Sequence, residues 1–132
     1  MMQPRVLQVH ADPRGMVFEP LASEELAGMH NVHVAVTRPG HVRGNHYHSR
    51  GTEHMVVLGP ATVRARVGDE LQERHVPAGQ AWRFTFPPGV AHAVRTAGDQ
   101  PGVLVSFSDR AHDPADPDTV RDNLFPDSAS GS

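Results

Sequence analysis

The sequence predicts an all-β domain built as a sandwich or closed barrel of short strands. Two observations carry that prediction. Gly and Pro each occur 12 times in 132 residues, which interrupts the chain too often for long helices. Between these breaks, short segments alternate apolar and polar residues with the period of two that belongs to a half-buried strand.

Taken in order, Arg5 to His10 reads as a short strand, Ala11 to Gly15 as a turn, and Met16 to Pro20 as another strand. Ser23 to Gly28 is expected to form one helical turn, capped by Ser23. Val32 to Thr37 alternates, placing Val32, Val34 and Val36 on one face and His33, Ala35 and Thr37 on the other. His54 to Leu58 is a continuous apolar strand ended by Gly59-Pro60. Ala61 to Val67 alternates, with Val63, Ala65 and Val67 inward and Arg64 and Arg66 outward, facing acids across the sheet. Gly68 to Glu70 is a hairpin turn. Trp82, Phe84 and Phe86 share one face of the next strand, and Val103 to Phe107 is a buried strand. Eight to ten strands at this spacing suit a sandwich or barrel.

A chain of this size holds one hydrophobic core. The domain is expected over residues 1–108, followed by an acidic, Pro-containing tail over residues 109–132 that is loosely attached and disordered after Pro126. The tail holds six Asp against two Arg, whereas the preceding residues hold 10 Arg against nine acids. Without cysteine there is no disulfide scaffold, thiol nucleophile or thiolate metal site. No apolar run approaches membrane-spanning length, and the N-terminus lacks a signal-peptide stretch, so a cytoplasmic protein without a membrane partner is expected. The formal net charge of -3 argues against nucleic acid as a partner.

Ten histidines stand out, four of them between His41 and His54. Imidazole is the commonest protein ligand for divalent metals. His46 and His48 are two apart, so a strand places both on one face. Glu53 follows after a bend, and His92 comes after the Pro87-Pro88-Gly89 turn. His46, His48, Glu53 and His92 therefore form a candidate N/O site for one divalent ion such as Zn, Ni, Fe(II) or Mn. His54 is expected to face away from Glu53, and Tyr47 away from its flanking histidines. His33 suits either the cavity wall or a structural role.

These residues resemble the cupin superfamily, whose fold is a double-stranded β-helix or jelly-roll barrel. Gly40, His46, His48 and Glu53 match its first motif; the later glycine is expected at Pro60, with Gly59 one place early. Pro87, Gly89 and His92 match the second, where Thr96 replaces an Asn and Ala81 a Gly. The string PGHVRGNHYH and the segment Asp113 to Thr119 resemble the cupin domain of capsular-polysaccharide nucleotide-sugar enzymes. That resemblance implies an isomerase or epimerase acting alpha to a carbonyl on a small nucleotide-sugar-like substrate. It gives Arg43 a role in substrate contact and His46 a role as base that competes with its role as ligand, while the chemistry itself allows Glu53 to carry the proton if it is not metal-bound. Small antibiotic-pathway cupins, including polyketide cyclases, are also similar, which leaves a cyclase or oxygenase of secondary metabolism open. A non-catalytic sugar-binding or regulatory cupin is a third reading. Short N-terminal edge strands and the family's habit of strand exchange imply a homodimer.

Overall fold

The structure, a computed structural model that describes residues 2–125, arranges its backbone in antiparallel sheets. The strands are β1 (Arg5–Val6), β2 (His10–Asp12), β3 (Gly15–Val17), β4 (Asn31–Thr37), β5 (Val42–His48) and β6 (Glu53–Leu58). They continue with β7 (Ala61–Val67), β8 (Glu70–Val76), β9 (Ala81–Phe86), β10 (Ala91–Thr96), β11 (Gly102–Ser108) and β12 (Thr119–Arg121), with one short helix, α1 (Ser23–Leu26). One five-stranded sheet runs β1-β9-β6-β11-β4 and the other β12-β5-β10-β7-β8, while β2 and β3 form a separate hairpin. The two sheets face each other as a β-sandwich. No helix among the described residues is long and apolar enough to cross a membrane.

The core between the sheets holds Met55, Val57, Val63, Ala65, Phe84, Phe86, Val94 and Leu104. The alternation of β7 is as expected, with Val63 and Ala65 buried. Arg64 pairs with Glu73 across the sheet at 2.7 Å, whereas Arg66 reaches Asp122 at 2.9 Å. Residues 68–69 make the two-residue turn between β7 and β8, with Gly68 at φ 62°. Phe84 and Phe86 are buried on the inner face of β9, and Trp82 packs partly buried against the same core.

Three local expectations are corrected. The span Ala11 to Gly15 is the tip of a hairpin with strand on both sides, because Gly15 takes φ 134° and lets the chain reverse. Ser23 lies inside α1 and does not cap it; the Glu25 carboxylate accepts the Ala22 N–H at 3.1 Å instead. On β4 the alternation is as expected, and the inner face is the one that carries Ala35 and Thr37, both buried, while Val32, Val34 and Val36 are each 60% exposed. The C-terminal segment is attached, because β12 pairs with β5 and Leu124 and Phe125 are buried against Val42, Ala91 and Ala93 on the outer face of that sheet. Residues beyond Phe125, including the expected disorder after Pro126, lie outside the described residues.

A β-bulge sets up the site. In the pairing of β10 with β5, His92 opposes His46 and Ala93 opposes Gly44, which leaves Asn45 without a partner. Asn45 adopts φ 58° and Gly44 φ 94°. Such an extra residue reverses the alternation of a strand. Arg43 opposes Val94 of the core, so it faces inward together with His46, although strict alternation would separate them. The Asn45 side chain turns outward and accepts the N–H groups of Leu124 and Phe125 at 2.9 and 3.2 Å.

Candidate functional site

Three strands bring the four predicted donors together. His46 and His48 come from β5, Glu53 from the first residue of β6, and His92 from β10. One donor atom from each lies within 4.8 Å of every other. His92 Nε2 is 2.6 Å from Glu53 Oε1, and His48 Nε2 is 3.4 Å from the same oxygen. The His46 ring sits edge-on to both other imidazoles, with centroids 5.0 Å from His48 and 5.1 Å from His92. Burial rises inward: the His48 side chain is 21% exposed, Glu53 4% and His92 1%.

Each donor is held by a second contact. The Ser106 hydroxyl on β11 donates to Glu53 Oε2, leaving Oε1 to face the histidines. His92 Nδ1 lies 3.0 Å from the Val90 carbonyl oxygen, an acceptor only, which puts a ring N–H there and leaves Nε2 facing Glu53. Phe86 stacks on the His92 ring at 4.1 Å and fixes its plane. His48 Nδ1 is 3.0 Å from Asp118 Oδ1.

The charges follow from these contacts. Hydrogen bonding to Glu53 is the main cause that raises His48 to about 9, and Asp118 adds to it. Burial, with the neighbouring His92, depresses His46 to about 4, so it is neutral at neutral pH. Burial works to raise Glu53, but its partners His48, His92 and Ser106 outweigh it and hold the carboxyl well below its ordinary range.

The donors fit a divalent cation. Glu53 Oε1 and His92 Nε2 are buried and face each other 2.6 Å apart. A buried carboxylate facing imidazoles needs a positive charge beside it, which a proton on a ring supplies in the metal-free protein and a divalent ion can replace. The set of imidazoles and one carboxylate is that of mononuclear Zn, Fe(II), Ni or Mn centres.

A cleft of about 410 Å³ opens at His48 and Glu53. Its other walls include His33, Arg50, Arg110 and the chain from Ala111 to Thr119. Arg43 is not among the lining residues; its Nε donates to Thr37 Oγ1 at 3.1 Å, at the opposite end of β5 from His48. His54 faces away from the cluster and pairs with Thr85 at 2.8 Å. Tyr47 packs on the outer face with Leu124 and Phe125. Sequence reasoning missed Ser106 and Asp118 as partners of the donors. Asp118 had a signal in the Asp113 to Thr119 segment; Ser106 had none, since a lone Ser in a buried strand is commonplace.

The later glycine of the first motif also has a physical reason. A Cβ at Gly59 would meet the Pro77 carbonyl oxygen at 1.9 Å, so the chain passes there only without a side chain.

A model of the polysaccharide biosynthesis C-terminal domain family matches residues 10–120. A search of curated proteins finds no match. Among solved structures, the chain is similar to the capsular polysaccharide assembling protein CapF from Staphylococcus aureus. The identity is 27% and the TM-score 0.67, over 89% of this chain and 32% of that one. It therefore spans about a third of the length of CapF. ChmJ, a 3'-monoepimerase from Streptomyces bikiniensis in complex with dTDP-quinovose, matches at 21% identity and TM-score 0.73, over 96% of this chain and 72% of that one. QdtA, a sugar 3,4-ketoisomerase from Thermoanaerobacterium thermosaccharolyticum in complex with TDP, matches at 16% identity and TM-score 0.69, over 94% and 90%. The double-stranded β-helix expected from the histidine motif is the fold these chains share. The match over residues 10–120 makes the chain a member of the polysaccharide biosynthesis C-terminal domain family, on a cupin fold.

Proposed function

We propose that this chain is a metal-dependent isomerase or epimerase that moves a proton alpha to a carbonyl on a nucleotide-sugar-like substrate. The observation that carries the reading is the convergence of His46, His48, Glu53 and His92, one donor atom of each within 4.8 Å of every other, at the inner end of an open cleft. The similarity to CapF, ChmJ and QdtA supports a nucleotide sugar as the substrate class.

In this reading His48, Glu53 and His92 hold the ion, since their contacts at 2.6 and 3.4 Å are the tightest in the cluster. When bound, a divalent ion supplies Lewis acidity to a substrate carbonyl oxygen. His46 is the proton carrier. Its burial keeps it neutral, so a nitrogen lone pair is available, and it lies against the ligands on the same inner face. A group of such low basicity removes a proton only from a carbon acidified by the adjacent polarised carbonyl, which is the chemistry the neighbouring ion provides. Glu53, fixed by Ser106, acts as ligand and not as base. Arg43 shares the inner face with His46 but is bonded to Thr37 outside the cleft lining, so this reading gives it no substrate contact.

The test is proton exchange. The metal-loaded protein, incubated in D2O with a nucleoside-diphosphate 4-keto-6-deoxyhexose, should place deuterium at the carbon next to the carbonyl, read by NMR. His46→Asn should abolish the exchange and keep the metal. No exchange by the loaded parent protein overturns the reaction class, and loss of metal in His46→Asn makes His46 a ligand.

We also propose that the chain pairs with a second copy. The expected edge liability lies less in β1, which is two residues long, than in β4 at the opposite edge. Its outward Val32, Val34 and Val36 form an apolar stripe on an edge strand, a surface that favours strand-to-strand association.

A further inference from the structure

We infer that the C-terminal strap is part of the metal centre, with Asp118 as the positioning residue that aims His48. The inference rests on the reading of His48, Glu53 and His92 as metal ligands.

An imidazole has two nitrogens on opposite sides of its ring, and only the one without hydrogen can ligate. A partner that accepts a hydrogen bond on one side therefore decides which nitrogen is free on the other. His92 receives that partner from its own neighbourhood, the Val90 carbonyl two residues away. His48 has no such local partner. Its Nδ1 meets Asp118 Oδ1 at 3.0 Å, from a residue 70 positions along the chain, and its Nε2 points at Glu53 Oε1. A carboxylate at Nδ1 keeps the N–H there and leaves the Nε2 lone pair for the ion.

Asp118 is itself held in place. Its Oδ2 accepts the N–H groups of Gly51 at 2.9 Å and Arg50 at 3.3 Å. Its carbonyl accepts the Ser49 N–H at 2.8 Å, and Thr119 opposes His48 in the ladder between β12 and β5. A Cβ at Gly51 would lie 3.3 Å from the same Asp118 oxygen, so the loop after His48 is shaped around this carboxylate. Downstream, the strap is latched by Asn45, and the Phe125 ring packs against the guanidinium groups of Arg64 and Arg95, 4.1 and 4.5 Å from its centre. The bulge that turns Arg43 inward thus also anchors the segment that delivers Asp118.

A simple tie between loop and strap would use the two backbone N–H groups alone. It would affect folding and leave the metal untouched. A positioning role predicts the reverse weighting. Removal of an outer partner of a metal-bound histidine lowers metal affinity by about 10–100-fold.

The experiment titrates Co(II) alone into the metal-stripped parent chain, Asp118→Ala and Asp118→Asn, following visible absorption and competition with a chelator. Melting of each metal-free protein is measured in parallel. The parent is expected to bind one Co(II). Asp118→Ala should bind it about 10–100-fold more weakly with a shifted spectrum, and Asp118→Asn, which keeps an acceptor for the Nδ1 hydrogen, should recover part of the loss. Parental affinity and spectrum in Asp118→Ala overturn the inference, whatever its melting temperature. If Asp118→Ala does not fold, Asp118→Asn decides: weakened binding supports the inference and parental binding overturns it. A parent chain that binds no Co(II) overturns the metal reading and this inference with it.

Discussion

Metal loading of this site is coupled to loss of a proton from His48. The ring lies between two carboxylates, 3.4 Å from Glu53 Oε1 and 3.0 Å from Asp118 Oδ1, and both favour the protonated form. Its folded value of about 9 means that the metal-free protein holds His48 charged at pH 7. An ion can take the Nε2 lone pair only after that proton leaves. From pH 7 to about 9 the cost is two units, or about 2.7 kcal/mol at 1.36 kcal/mol per unit, a factor of about a hundred in affinity. His46 adds nothing in this window because it is already neutral at about 4, and Glu53 is already ionised. The expected result is a dissociation constant for Zn(II) that falls about tenfold per pH unit above pH 7 and flattens near 9. Competition with a chelator whose own protonation is known measures it directly. His48→Asn should bind more weakly and lose this part of the slope. A constant affinity between about pH 7 and 9 refutes the reasoning.

The same two histidines shape the stability of the metal-free protein. His48, raised to about 9, contributes stability that is complete below its unfolded value near 6.5 and is lost as pH rises through 9, on the order of 3 kcal/mol at most. His46, lowered to about 4, acts oppositely: the unfolded chain takes up its proton first, so stability falls as pH drops from about 6.5 toward 4. Melting of the metal-stripped chain should therefore peak between these limits and decline on both sides, and a flat profile across them contradicts the assignments. Gly44→Ala should cost ~3 kcal/mol or more and release the metal, because a Cβ there meets the His92 carbonyl oxygen at 2.6 Å on a backbone of φ 94°; chemical denaturation and metal analysis check both. Val34→Asp places a charge in the exposed stripe of β4 and should shift the mass in solution from dimer to monomer by light scattering, and an unchanged mass removes that stripe as the interface.

Much of this architecture is legible in the residues. The clean alternation of Ala61–Val67 identifies β7 because one face packs on a core and the other meets water. The donor set is legible because HxH on a strand has only one geometry. Other features depend on partners that the local sequence does not contain. Val32, Val34 and Val36 look like a core face, yet the inner face carries Ala35 and Thr37, with His33 on the cleft wall and Thr37 bonded to Arg43. Asn45 reads as an ordinary strand residue until its bulge and its bonds to Leu124 and Phe125 appear together. Asp118 sits in a segment whose acidity suggests solvation, and only the pairing of Thr119 with His48 shows that one of those acids is turned inward.

The central claim is that one ion binds where Glu53 Oε1 and the three histidines converge. The most direct measurement is anomalous X-ray scattering from crystals of the Zn(II)-loaded protein, collected on both sides of the zinc absorption edge. The account predicts a single strong peak within about 2.2 Å of Glu53 Oε1, His48 Nε2 and His92 Nε2. No peak at that point, or a peak bound only by surface histidines such as His75 or His112, contradicts it.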